Sequence, residues 1–256
     1  MRLLISLLLA GTLASPAFAT ITDADAINQA GRQRMLSQRM AKAFAQLGQN
    51  IEPYLAQKVL GSSMQVFEQQ LRTLSSHAPT SEIQSRYTEL ASLWTRYRVL
   101  LGKASTPDTG KQVLQLSDQL LTVAHAATVA WQQHAGTGQA ELVNLAGRQR
   151  MLSQRMAKLY MFRSWGMTTQ RELGALKQAQ DEFVAGLGRL ESAELTTPRI
   201  RQELDLARQQ WVFFEMALAT EDSETNRRNV ATTSERILET MNNITAMYEK
   251  LPATRP

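Results

Sequence analysis

The sequence predicts an all-α fold made of two tandem antiparallel four-helix bundle units that arose by internal duplication. The twelve-residue string GRQRMLSQRMAK occurs twice without a substitution, at 31–42 and 147–158, which is an offset of 116 residues. A repeat at a fixed offset indicates that one structural unit was copied. Apolar residues recur at three- and four-residue spacing elsewhere, and Gln, Ala, Leu, Arg and Met are abundant, which favours helices.

The first residues have the pattern of a secretory signal peptide, 1–19. Arg2 supplies the positive charge, residues 3–14 form an apolar run, and the AFA of 17–19 fits an A-x-A cleavage site. The run is shorter than the roughly 20 residues that span a bilayer. We find no second such run, so we expect a soluble periplasmic protein that begins near Thr20.

Composition narrows the functional classes. The chain has no cysteine, which excludes disulfides, thiol chemistry and cysteine metal sites. Its net charge of +5 comes from 28 basic and 23 acidic residues. In an exported protein this charge favours small anions over nucleic acid as partners. Acidic residues are interspersed among the basic ones, which argues against a membrane-binding stripe.

Helix boundary signals recur at matching places in the two copies. Stop and start signals in the first copy lie at 48–53, 79–81 and 106–108, and those of the second lie at 166–169, 197–198 and 221–223. Four helices joined by short loops predict antiparallel neighbours in each unit, 20–135 and 140–251. Residues 135–138 (AGTG) form the linker. The pattern leaves open whether this linker breaks the helix or lets it continue.

The duplication extends beyond the identical string. Phe67 corresponds to Phe183 at the offset of 116, and Trp94 corresponds to Trp211 at an offset of 117. Both pairs lie on the apolar faces of their predicted helices. We therefore expect the two units to have equivalent cores.

A helical wheel divides the basic residues of the string into two groups. Leu36 and Met40 fall on the core face. Arg32, Arg39 and Lys42 fall on the far side together with Asn28, where we expect water to solvate them. The methionines of the string are expected to fill the core and to have no role in metal or redox chemistry.

Arg34 and Arg150 are placed differently from these residues. Each lies beside the core face among small residues, where another helix can approach closely. An arginine in such a seam is partly desolvated and needs an acceptor, and the string contains no Asp or Glu. A bound oxyanion would satisfy the planar guanidinium. An acid from another helix, or extension of the side chain to water, would satisfy it equally.

The histidines offer no pattern for catalysis or metal binding. His77, His125 and His134 lie outside the string, and none forms an i, i+4 pair with another. We find no catalytic triad order and no phosphate-binding loop. We therefore expect surface or loop positions for the three histidines, no metal, no cofactor and no enzymatic activity.

The motif around the arginines resembles a known sensory family. Asn-x-Ala-Gly-x-x-Arg-Met-x-x-x-Arg resembles the P-box of nitrate/nitrite sensor kinases, and AGRQRMLSQRMAK resembles the PilJ-type N-terminal domain of type IV pili methyl-accepting chemotaxis transducers. The resemblance implies a four-helix bundle. It also implies that an arginine from each of two P-box helices clamps one nitrate at a subunit interface. The implied ligand-binding residues here are Asn28, Gly31, Arg34, Asn144, Gly147 and Arg150.

Two P-box motifs in one chain can be arranged in two ways. They can pair with each other across a pseudo-two-fold axis, or each can pair with its copy in a homodimer. We expect an exported ligand-binding or sensory protein that binds a small oxyanion, nitrate or nitrite first. It would present the bound state to a membrane sensor, chemoreceptor or transporter. The alternative is a ligand-free helical scaffold that docks a membrane chemoreceptor or sensor.

Overall fold

The computed structural model describes residues 21–167 and 169–253, so the predicted signal peptide at 1–19 lies outside the described residues. In these ranges no helix is both long and apolar enough to span a membrane. The helices are α1 (Asp23–Gly48), α2 (Pro53–Ser76), α3 (Ser81–Leu101), α4 (Pro107–Ala135), α5 (Gly138–Ser164), α6 (Gln170–Ser192), α7 (Pro198–Ala219) and α8 (Glu224–Glu249).

Threonine side chains cap the helices near the predicted boundaries. The hydroxyls of Thr80, Thr106 and Thr197 each accept a hydrogen bond from the first-turn backbone. The linker between the copies breaks the helix. Gly136 ends α4 in the left-handed conformation (φ 58°), which glycine adopts without strain, and Thr137 caps α5. The chain therefore does not continue as one helix from α4 into α5, which the sequence left open.

The eight helices form two four-helix units, and the predicted fold class is confirmed. In the first unit α1 packs against α2 and α4, and α3 completes the ring; α5 to α8 repeat the arrangement. Equivalent aromatic pairs lie in the two cores. The ring centroids of Phe67 and Trp94 are 4.4 Å apart, and those of Phe183 and Trp211 are 4.8 Å apart. The two halves therefore repeat each other in packing as well as in sequence.

The helices that carry the identical string, α1 and α5, form the most extensive helix–helix contact of the molecule. They run in the same direction. Gly31 faces Gly147 near their middles, and the Gln49 side chain donates to the carbonyl of Met161 at 2.9 Å near their ends. Apolar residues of both units form one continuous core around this pair.

Burial of the string corrects part of the helical-wheel prediction. In both copies every residue of the string is buried except its first and third arginines, which are partly exposed. Solvation was wrongly predicted for Lys42, which is 1% exposed, and for Asn28, which is 6% exposed, while Arg32 and Arg39 are only partly exposed. The wheel assumed a helix with one outer face. However, α1 also contacts α8 of the second unit, which covers that face.

Candidate functional site

Two glycines allow α1 and α5 to approach closely at their crossing. A Cβ atom built on Gly31 would lie 3.8 Å from the Cα of Gly147. It would also lie 3.1 Å from Nη2 of Arg34 and 3.4 Å from Nη2 of Arg150. The same distances to the arginines recur in reverse order at Gly147. The tips of both guanidinium groups therefore meet at the glycine crossing.

Each arginine reaches across the crossing to the backbone of the other copy. Nη2 of Arg34 donates to the carbonyl of Asn144 at 3.2 Å, and Nη2 of Arg150 donates to the carbonyl of Asn28 at 3.2 Å. Both arginines are fully buried (0% exposed). The structure thus brings all six sequence-predicted residues together within one chain. The two asparagines reach the arginines through their backbone carbonyls.

A histidine from outside the identical string contacts this site. Nη1 of Arg34 lies 3.3 Å from Nδ1 of His125, and Nη1 of Arg150 donates to Oδ1 of Asn242 at 3.1 Å. A guanidinium cannot accept a hydrogen bond, so Nδ1 of His125 accepts and the ring is neutral. His125 lies on α4 and is half-buried, so the expected surface position holds only for part of its ring. In the sequence, His125 corresponds to Asn242 at the offset of 117, so the two copies carry polar side chains at equivalent positions of their last helices.

The two arginines have no acidic partner in the described part of the chain. No carboxylate there lies within salt-bridge distance of either guanidinium, and both Nε atoms are buried without a hydrogen-bond acceptor. Burial, and next the charge of Arg148, lowers the pKa of Arg34 to about 9. Burial and the charges of Arg32 and Arg34 hold the pKa of Arg150 well below its usual value. The two desolvated cations therefore repel each other, and no carboxylate in the described ranges lies close enough to form an ion pair with either.

Other basic residues of the string join the two units. Nζ of Lys42 donates to Oγ of Ser234 at 3.0 Å and to Glu235 at 2.5 Å, both on α8 of the other unit. Arg39 pairs with the same carboxylate at 2.5 Å. Burial alone would raise the pKa of Glu235, but the charges of Lys42 and Arg39 outweigh it and hold the pKa at about 2.

The second copy repeats this contact in the opposite direction. Nζ of Lys158 donates to Oγ of Ser117 at 3.2 Å and to Asp118 at 2.7 Å, both on α4 of the first unit. Burial lowers the pKa of Lys158, and the charge of Asp118 opposes this shift. The lysines therefore fix each string-bearing helix against the last helix of the other unit, on either side of the arginine pair.

Comparison with known families assigns both halves of the chain to one family. A family model described as the type IV pili methyl-accepting chemotaxis transducer N-terminal domain, PilJ, matches residues 21–127 and 130–245. The chain belongs to the PilJ family. The two matches confirm the two tandem PilJ copies that the sequence predicted. PilJ domains are periplasmic-type sensory domains and not an enzyme family. A search of curated proteins and a search of solved structures each found no match.

The Lys42–Glu235 contact can be tested by replacing the carboxylate of Glu235 with a neutral amide. Glu235→Gln leaves the buried ammonium of Lys42 without a counter-charge, so we expect the free energy of unfolding to fall by about 3 kcal/mol. Urea denaturation at pH 7 measures this change. Asp181→Asn is the control, because the Lys177–Asp181 pair is exposed (73% and 63%) and we expect a change below about 0.5 kcal/mol. Equal effects of the two substitutions would show that Glu235 does not hold Lys42.

His125 predicts a pH-dependent loss of stability. Burial first, and then the charges of Arg34 and Arg148, lowers its pKa from 6.5 to about 4. The unfolded chain therefore binds a proton between these pH values while the folded chain does not. His125 therefore leaves the free energy of unfolding undiminished above pH 6.5 and lowers it progressively as the pH falls to about 4.

The test is His125→Asn, because Asn242 already fills the equivalent position in the second copy. Between pH 6.5 and 4 we expect the unsubstituted protein to lose about 1–2 kcal/mol relative to the variant, after allowance for the partial exposure of the ring. Thermal unfolding across this range measures the difference. Parallel pH profiles would show that the imidazole does not titrate against the arginine.

Proposed function

We propose that this PilJ protein binds one small oxyanion, nitrate or nitrite first, between Arg34 and Arg150. Two fully buried guanidinium groups meet at a helix crossing, and in the described ranges no carboxylate lies within salt-bridge distance of either. Buried charges of this kind are costly unless they are paired. A resident anion is the partner that suits both groups at once.

A planar oxyanion fits the donors that remain. Each guanidinium uses its two Nη atoms on the protein, and its Nε–H is still free to donate within the described part of the molecule. Guanidinium forks bind planar oxyanions through paired N–H donors. Charges attract more strongly in a water-poor interior than in solvent. A bound monovalent planar anion would therefore attract both Arg34 and Arg150 and offset the repulsion between them.

This exchange gives the molecule a means of signalling. Without an anion the arginines favour separation of α1 and α5, and with an anion they favour close approach, so the ligand shifts the equilibrium between two helix arrangements. Lys42 and Lys158 connect α1 and α5 to α8 and α4, which would carry the shift to both units. We propose that the protein is exported and that a membrane sensor, chemoreceptor or transporter detects the bound state.

Replacing each arginine with methionine tests the proposal. Methionine keeps much of the side-chain volume and removes an unpaired buried charge, so Arg34→Met and Arg150→Met should stabilise the ligand-free protein by about 1–4 kcal/mol. The unsubstituted protein should gain about 2.7 kcal/mol at nitrate concentrations 100-fold above Kd, and both variants should lose this gain. Thermal unfolding with and without sodium nitrate, against matched sodium chloride, measures both effects.

Arg72→Met is the matched control, because Arg72 is exposed (69%) and pairs only with the neighbouring Glu68 in the described structure. It should change neither the stability nor the response to nitrate. If nitrate, nitrite and other small anions fail to stabilise the unsubstituted protein, anion binding is contradicted. The ligand-free scaffold that docks a membrane chemoreceptor would then be favoured.

A further inference from the structure

A surface pocket leads to one of the two buried arginines. Its volume is about 290 Å³, and its walls come from α1, α4, α5 and α6. A water molecule occupies roughly 30 Å³ of liquid, so a four-atom anion and several waters fit inside. The lining residues are Arg34, His125, Gln132, Glu141, Asn144, Leu145, Arg148 and Arg189.

The wall charges of this pocket favour anions. Arg34 lies at its inner end and the exposed Arg189 lies at its rim. Arg148 also lines the pocket and forms an ion pair with Glu182 at 2.5 Å. Glu141 is the acidic residue among those that line it. Basic groups along a cleft concentrate anions and raise their rate of association.

The equivalent surface beside Arg150 differs in charge. On the Arg34 side the amide of Asn144 donates to the neutral Gln132. On the other side the amide of Asn28 donates to the carboxylate of Glu249, which occupies the position of Gln132 at the offset of 117. A carboxylate at this position repels an approaching anion.

The rim differs in the same sense. Arg189 on the Arg34 side corresponds to Thr73 at the offset of 116, so the second side has no cation at this position. The two ends of the arginine pair, which an exact two-fold axis would make identical, are therefore electrostatically unequal.

We infer, on the basis of the function proposed above, that the anion reaches the arginine pair through the pocket on the Arg34 side. Arg189 attracts the anion at the rim, and the neutral Gln132 beside Asn144 adds no negative charge at the inner end. On the opposite side the carboxylate of Glu249, bonded to Asn28, opposes the approach of an anion. The duplicated chain thus has one entrance to a site built from two equivalent halves.

Blocking the two sides separately tests this inference. Leu145→Trp places a bulky neutral group in the pocket wall, and Gln29→Trp does the same at the equivalent position on the other side. Nitrate association and dissociation rates are obtained from NMR line shapes of the arginine Nε–H signals during titration. We expect Leu145→Trp to slow both rates by about tenfold with little change in Kd, and Gln29→Trp to change neither.

Charge reversal at the rim gives a second test that does not disturb the core. Arg189→Glu should lower the association rate about threefold at low ionic strength, and added salt should abolish the difference. Arg72→Glu, an exposed charge reversal beside Thr73, should leave the rate unchanged.

The outcomes separate the two proposals. If the unsubstituted protein binds neither nitrate nor nitrite, the anion site itself is contradicted. If it binds nitrate but Leu145→Trp and Arg189→Glu match their controls, or Gln29→Trp is the slower variant, the entrance is not on the Arg34 side.

Discussion

The close approach of α1 and α5 at Gly31 and Gly147 places two arginine side chains in the interior of the protein. A side chain on either glycine would contact both guanidinium groups, so the crossing and the arginine pair require each other. Burying such charges costs several kcal/mol, which burial of the surrounding apolar core offsets. The identical string is explained by this geometry, because all but two of its positions in each copy are buried between helices.

Fusion of two copies allows the halves of the molecule to differ. A homodimer has the same residue on both sides of its axis, whereas here His125 faces Arg34 and Asn242 faces Arg150. The string itself has stayed unchanged, while the residues that surround it on the last helix of each unit have diverged. Selection on the paired centre and freedom at its edges would produce this pattern.

Local rules in the sequence predicted the helices and the seam positions of Arg34 and Arg150, but left open whether the two arginines pair within one chain. Capping residues marked the boundaries, and the helical wheel separated Arg34 from the solvated face. The helical wheel could not predict the burial of Lys42, because the residues that cover this side chain belong to α8, about two hundred positions further along the chain. His125 was missed for the same reason, since it lies 91 residues from Arg34 in sequence. Contacts between units depend on packing that a single-helix pattern does not contain.

The most direct test of the central claim is a crystal structure of the protein grown in sodium nitrate. We expect one planar nitrate per chain, bonded by the guanidinium groups of both Arg34 and Arg150 beside the two glycines. Nitrate bound elsewhere, or an arginine pair without an anion at saturating nitrate, would contradict it.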